Sequence, residues 1–462
     1  MKGVKISQPI SISPRAIWHP QPPQLPEVYL SAIYMYLAFD GSYVRNDYVR
    51  GVEDAINNFL SDGGENLMLA VLIDYPSGFD VSAKLIVKLR DSSGHLHIRV
   101  LTKNEINMGD PNTLVNFITE ANNIAEDLIG RSIIVTRSVL YINGHGGEIM
   151  GTAQDWTPSD FLTPKELRQA LQNTMHFNII YLHSCYEGFF EMAYDLRDLA
   201  DYMIGSPVNI IMWRTRDETR RNFERWILNQ TLFKKWSNNI ISTREYAIAI
   251  CPMISATYSA QPIVQVLYLR SDYNLNGIND LEEIKEYLDN LANRILTNWN
   301  TYKNIIKEKY NSIEKIRMDK ISVENENTHQ KEEVPIMHYA KIISIFDVLW
   351  PEKTQIISNL INAVVVFESD SNIPSLAIFM PKYFGDAIKD KYNLFGPQAD
   401  VYINNGEKYS SFLEKTYWDS LIAKIRNFFK QQQNNFVVYF ATFRQRLIAL
   451  VYTICLKDLR LY

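Results

Sequence analysis

Before about Arg216, apolar runs of strand length alternate with segments of helical spacing. Val28–Phe39 reads as a buried strand closed by Asp40 and Gly41, with a helix at about Arg50–Leu60 and a second strand at Leu67–Asp74. Ala83–Leu89 and His97–Leu101 form a hairpin pattern around the turn Ser92, Ser93, Gly94. Asp110 or Asn112 suits the cap of a helix running to about Leu128. Ser138–Ile142 is an apolar strand that ends in Asn143, Gly144, His145, Gly146 and Gly147. A long loop with a short helix near Lys165–Leu171 then leads to a second such strand, Asn178–Leu182, which ends in His183, Ser184 and Cys185. A helix over Glu187–Ala200 and a strand over Tyr202–Gly205 follow. Strands alternating with helices predict an α/β fold with a mostly parallel sheet covered on both faces.

Beyond Arg216 the spacing favours longer helices, at Glu218–Trp236, Leu281–Leu296 and Asn298–Ile316. The charged stretch Ser322–Glu333 reads as a surface loop. Helical spacing returns near His338–Val348, with strands near Val364–Phe367 and Leu376–Met380 and a helix over Ser411–Phe429. This divides the chain into a Pro-rich lead (1–26), an α/β unit (27–215), a mainly helical C-terminal α/β region (216–430) and a tail (431–462).

Composition adds bounds to that pattern. The 462 residues are 46% hydrophobic, enough for a sizeable core, and the net charge of −5 gives no basis for a nucleic-acid partner. The three cysteines, Cys185, Cys251 and Cys455, are too few and too odd in number for a disulfide framework. The N-terminus lacks an apolar core of signal-peptide length, so a soluble cytoplasmic protein is expected. No membrane span is expected either, because Arg444, Gln445 and Arg446 interrupt the apolar segment Phe436–Cys455.

The chemistry concentrates at His145 and Cys185. Neighbouring strands of a parallel sheet that end at one edge bring such side chains together, and a thiol beside an imidazole is the minimum equipment of a cysteine nucleophile. A thiolate there would be favoured by His145 and by a helix starting directly after Cys185. The Gly146 and Cys185 amides are candidates to hold a developing oxyanion. The plain alternative is that a lone histidine and a lone cysteine are structural, as Cys251 and Cys455 are read here.

The text around these residues resembles the clostripain family of cysteine peptidases, members of the caspase-like clan. The resemblance is carried by Tyr34–Asp40, by Glu105–Ile118 with its Met108, Gly109, Asp110 core, and by His145, Gly146, Gly147. It continues with Cys185 followed by Glu191–Asp198 and Asp201–Ser206, and with Leu376–Pro381, Tyr417 and Trp418. It implies a caspase-like three-layer core over 27–215, a His145–Cys185 dyad, and peptide or protein substrates. The family reads arginine or lysine with an aspartate two residues before the nucleophile and a second acid in a loop after the next strand. Here those positions hold His183 and, at about the second, Trp213 followed by Arg214. A guanidinium without a carboxylate partner is costly to bury, so arginine specificity is not expected. Arg214 and Arg216 either favour an acidic side chain or are solvated surface charges, and His183 is either a pocket wall or a second imidazole. The loop between histidine and cysteine, where relatives are cut for activation, offers Lys165 and Arg168.

Asp272, Asn274, Asn276, Ile278 (by its carbonyl), Asp280 and Glu283, with Gly277 at the turn, fit the twelve-residue calcium loop. Calcium is therefore the one cofactor suggested, against an Asn/Gly turn whose acids favour the start of the next helix. His95 and His97 share a strand face without a third ligand and read as structural. The leading expectation is a cysteine endopeptidase. The alternatives are a catalytically silent scaffold or binding protein and, further off, a transferase using the same thioester.

Overall fold

The computed structural model describes residues 27–40, 45–147, 150–155, 160–208, 210, 215–251, 265–269, 279–316, 319–324, 331–336, 339–368, 376–380 and 410–429. The first half follows the order β1 (Val28–Ala38), α1 (Asn46–Asn58), β2 (Leu67–Asp74), β3 (Ala83–Arg90), β4 (Leu96–Lys103), α2 (Pro111–Ile129) and β5 (Ile133–Asn143). Next come β6 (Thr152–Asp155), β7 (Asp160–Leu162), α3 (Pro164–Gln172), β8 (Phe177–His183), α4 (Phe190–Leu196) and β9 (Ala200–Gly205). Helices α5 (Arg216–Arg225), α6 (Gln230–Ser237) and α7 (Thr243–Ile250), strand β10 (Gln265–Tyr268), and helices α8 (Asp280–Thr297) and α9 (Trp299–Lys309) follow. The chain continues through β11 (Lys315–Ile316), β12 (Asp319–Glu324), β13 (Lys331–Ile336), β14 (Tyr339–Lys341), α10 (Ile342–Leu349), α11 (Thr354–Val364), β15 (Val365–Glu368), β16 (Ala377–Phe379) and α12 (Ser411–Glu414).

Nine strands form the central sheet in the order β15-β10-β9-β8-β5-β1-β2-β3-β4. Its middle, from β9 to β2, is parallel throughout, and antiparallel strands extend both sides. Because successive side chains of a strand face opposite ways, β1 feeds two cores. Tyr34, Tyr36 and Ala38 join the layer that holds α2, α3, α4 and α8. Ile33, Met35 and Leu37 join the layer of α1, α5, α6 and α7. This is the expected three-layer α/β arrangement, with a C-terminal region rich in helices. Two strands from beyond Arg216, β10 and β15, complete the same sheet.

Several elements differ from the sequence expectation. The charged stretch at Ser322–Glu333 is not simply a loop: its described ends lie in β12 and β13, paired with Ser322 opposite Glu333, because the ladder is made by backbone groups whatever charge the side chains carry. The helix expected over Glu218–Trp236 is two helices. Trp226 leaves the helical region at φ −109 and ψ −98, and the Asn229 side chain caps α6 by accepting from the Leu232 amide. The helix expected over Asn298–Ile316 ends at Lys309, and a strand, β14, precedes the helix expected near His338. The helix expected over Ser411–Phe429 is α12 followed, after a break, by a helix over 418–429. The apolar segment Phe436–Cys455 lies outside the described residues.

Candidate active site

Strands β5 and β8 are direct parallel neighbours, paired from Val139 opposite Ile179 to Asn143 opposite His183. His145 and Cys185 therefore each stand two residues past the same register position, at the C-terminal edge of the sheet. Both are partly exposed. The two loops touch: a Cβ on Gly146 would lie 2.0 Å from the Cys185 carbonyl oxygen, so only glycine allows this approach. Strand β6 braces the histidine loop through Gln154 N–H to the His145 carbonyl (3.2 Å), and the nucleophile loop through Thr152 and Ser184, whose hydroxyls are 2.7 Å apart. The β6–β7 hairpin was not expected from the sequence, whose Gly/Thr/Asp content there reads as loop. Burial lowers the His145 pKa, so its imidazole is neutral at neutral pH.

The setting of Cys185 corrects one expectation. No helix begins directly after it: α4 starts at Phe190, and the intervening Glu187 and Gly188 amides both donate to the Ser206 carbonyl (2.7 and 2.8 Å). Gly188 packs so closely on this backbone that a Cβ would meet Pro207 N at 2.7 Å. The donor aimed at the sulfur is instead the Ile210 amide, 3.3 Å from Sγ. It comes from the loop after β9, the direction from which the Trp213 and Arg214 pocket residues were expected. Those two lie outside the described residues. Arg216 is described, and its guanidinium is engaged by Asp54 at 2.5 and 2.7 Å, which is the surface-charge alternative.

His183 is 5% exposed and points into the layer opposite α4, among Tyr141, Tyr181 and Phe223. Its Nδ1 lies 2.6 Å from the Tyr141 hydroxyl and 3.0 Å from Asn143 Nδ2. Burial pushes its pKa down to about 4. The position is a neutral core imidazole beneath the site. A residue not singled out from the sequence is Glu187, a fully buried carboxylate whose Oε1 would lie 2.8 Å from a Cβ on Gly146. Only the approach of the two loops brings it there.

Lys165 and Arg168 sit in α3, a helix opened by a capping box between Thr163 and Glu166. Lys165 pairs with Glu414 (3.0 Å), and Arg168 pairs with Asp198 (3.1 Å) and donates to the Asp195 carbonyl. Of the calcium-loop residues, Asp272, Asn274, Asn276, Gly277 and Ile278 lie outside the described residues. Asp280 and Glu283 occupy the first turn of α8, which the Asn279 side chain caps. An exiting helix of a calcium loop and a plain helix cap both put acids there. His97 pairs with Asp91 (2.9 Å) at the β3–β4 turn, consistent with a structural role.

Residues 43–216 match the clostripain family. These residues form a clostripain-family domain. The clostripain family is one of cysteine peptidases. Comparison with curated proteins returned no match. Among solved structures, the chain resembles a secreted C11 cysteine protease from Bacteroides thetaiotaomicron bound to an irreversible peptide inhibitor. The identity is 16%, the TM-score 0.51, and the alignment covers 85% of this chain and 99% of that one. It also resembles an inactive zymogen C11 protease from Parabacteroides distasonis, at 17% identity and TM-score 0.50, over 77% of this chain and 93% of that one. At such identities the likeness establishes the fold the clostripain-family domain adopts. No helix among the described residues is long and apolar enough to cross a membrane.

Proposed function

We propose that the chain is a cysteine endopeptidase that forms a thioester on Cys185, with His145 as acid and base. The observation that carries this reading is the parallel register of β5 and β8, which delivers both residues to one edge with Gly146 against the Cys185 carbonyl. In the proposed cycle, neutral His145 takes the thiol proton as Sγ attacks the peptide carbonyl, and returns it to the leaving amine. Water then cleaves the thioester. The Ile210 amide stabilises negative charge on sulfur, and the Gly146 and Cys185 amides are the proposed oxyanion donors.

The same proposal excludes a preference for arginine. Neutral His183 supplies no negative charge where the family has an acid, and Glu187 is fully buried, out of a substrate's reach. The parts assigned to Trp213 and Arg214 in the pocket, and to calcium at 272–283, rest on the sequence alone.

A peptide-like thiol-reactive probe tests the reading. Wild-type protein should be labelled and should hydrolyse members of a diverse peptide library. Cys185→Ala should do neither, and His145→Ala should slow turnover by roughly 10²–10⁴-fold. Absence of both labelling and hydrolysis in the wild type would sink the peptidase claim in favour of a silent scaffold. Cleavage mainly after arginine would overturn the specificity claim alone.

A further inference from the structure

Four carboxylates meet on the same sheet edge, on the far side of β5 from Cys185. Asp40 follows β1, Asp74 ends β2, Glu105 lies in the loop after β4, and Asp155 ends β6. Each contributes one oxygen, and these oxygens all lie within 4.8 Å of one another. The backbone holds them there. β1 and β2 are parallel and in register at Ala38 and Asp74, and the Phe39 amide donates to the Asp74 carbonyl (3.0 Å). The Met108 amide fixes Asp155 at 2.8 Å, while the Tyr36 hydroxyl donates to the Met108 carbonyl at 2.9 Å.

Asp74 is the decisive member. It is fully buried, and neither of its carboxylate oxygens accepts a hydrogen bond of normal geometry. A buried carboxylate aimed at three others is an expensive arrangement for a protein to keep without a positive charge among them.

We propose that Asp40, Asp74, Glu105 and Asp155 bind one hard divalent cation, calcium in preference to magnesium. All four donors are carboxylate oxygens, which suits hard cations and disfavours metals that seek nitrogen or sulfur. Four protein carboxylates around one centre exceed what magnesium ordinarily takes and suit the larger all-oxygen shell of calcium. Access is open: a surface cleft of about 340 Å³ is lined by Asp40 and Glu105. The site also connects to the candidate active site. Asp155 neighbours Gln154, whose amide holds the His145 carbonyl, so a cation here would stiffen the strand that braces the histidine loop. The binding claim does not depend on the peptidase reading, since it is tested without turnover.

The test uses the full chain, stripped with a chelator, in thermal unfolding and calorimetric titration with calcium or magnesium chloride. Calcium should raise the Tm of the wild type, more than magnesium at equal concentration. Asp74→Asn should abolish the shift and should also raise the Tm of the stripped protein above that of the wild type, because it removes a buried repulsion. Glu105→Gln, at an exposed position, should fold normally and weaken calcium binding at least ~10-fold; it decides the matter should Asp74→Asn fail to fold. Asp272→Asn should leave intact the part of the shift that Asp74→Asn removes. The proposal is overturned by a wild type indifferent to calcium, or by calcium shifts in Asp74→Asn and Glu105→Gln equal to the wild type. It is equally overturned by a shift lost only in Asp272→Asn. Equal shifts with the two cations overturn the preference for calcium.

Discussion

Asn143, His183, Tyr141 and Tyr48 form a hydrogen-bonded group beneath the candidate site, and its acid–base behaviour makes a stability prediction. His183 titrates at about 4 in the folded protein, against about 6.5 in an unfolded chain. As pH falls the unfolded chain takes up this proton first, so stability is lost between pH ~6.5 and ~4 and is unaffected above that window. The full loss is about 3 kcal/mol at 1.36 kcal/mol per unit. Lowered His145 acts in the same direction. His183→Asn keeps a polar partner for the Tyr141 hydroxyl and removes the titration. Urea unfolding of both proteins at pH 7 and pH 4.5 should show a smaller drop in the variant, by roughly 2 kcal/mol. Parallel pH dependences would show that His183 does not titrate as its burial implies. At this scale His145, Cys185 and Gly146 were readable because they stand at strand ends in a glycine-rich setting. The burial and pairing of His183 were not, since alternation along β8 assigns it a face but does not say which side chains meet it there.

The short helix α4 is buried on every side, acids included. Glu191 Oε1 accepts from the Phe379 amide (3.1 Å), and Asp195 accepts from the Ser411 amide and from the Ser411 hydroxyl. These carboxylates stitch two distant C-terminal segments onto the element that follows Cys185. Asp195→Ala would leave both Ser411 donors without their acceptor, at a cost of about 3 kcal/mol, while Asp195→Asn should recover part of it. Denaturant unfolding measures both; a change below about 0.5 kcal/mol for Asp195→Ala would mean that Ser411 finds other partners. Element boundaries were legible where a cap or an amphipathic stripe was clean, as at Asp110 before α2 or over β2. They failed where contact decided the outcome. α4 begins three residues later than its spacing suggests because Glu187 and Gly188 are held to Ser206. The pairing of β12 with β13 is a partnership of two segments, which no single run of residues announces.

Across the whole molecule the sheet does not stop with the clostripain-family domain. β10 pairs with β9, and β15 pairs with β10, so sequence beyond Arg216 closes an edge that would otherwise be open. A chain ending at residue 215 would expose the β9 edge and deprive Glu191 and Asp195 of their partners. It should fail to give a monomer with cooperative unfolding, as read by size-exclusion chromatography and circular dichroism; a well-behaved monomer would show that the first unit folds alone. The sequence by itself determined the α/β class, the order of the main strands and the two reactive strand ends, because apolar periodicity and polar interruption are local properties. Tertiary structure alone decided that β5 and β8 are neighbours in register, that the Ile210 amide rather than a helix end faces the thiol, and that Asp40, Asp74, Glu105 and Asp155 converge. Each of these depends on which strands lie side by side, a choice made by the packing of two cores and not by any residue's immediate neighbours.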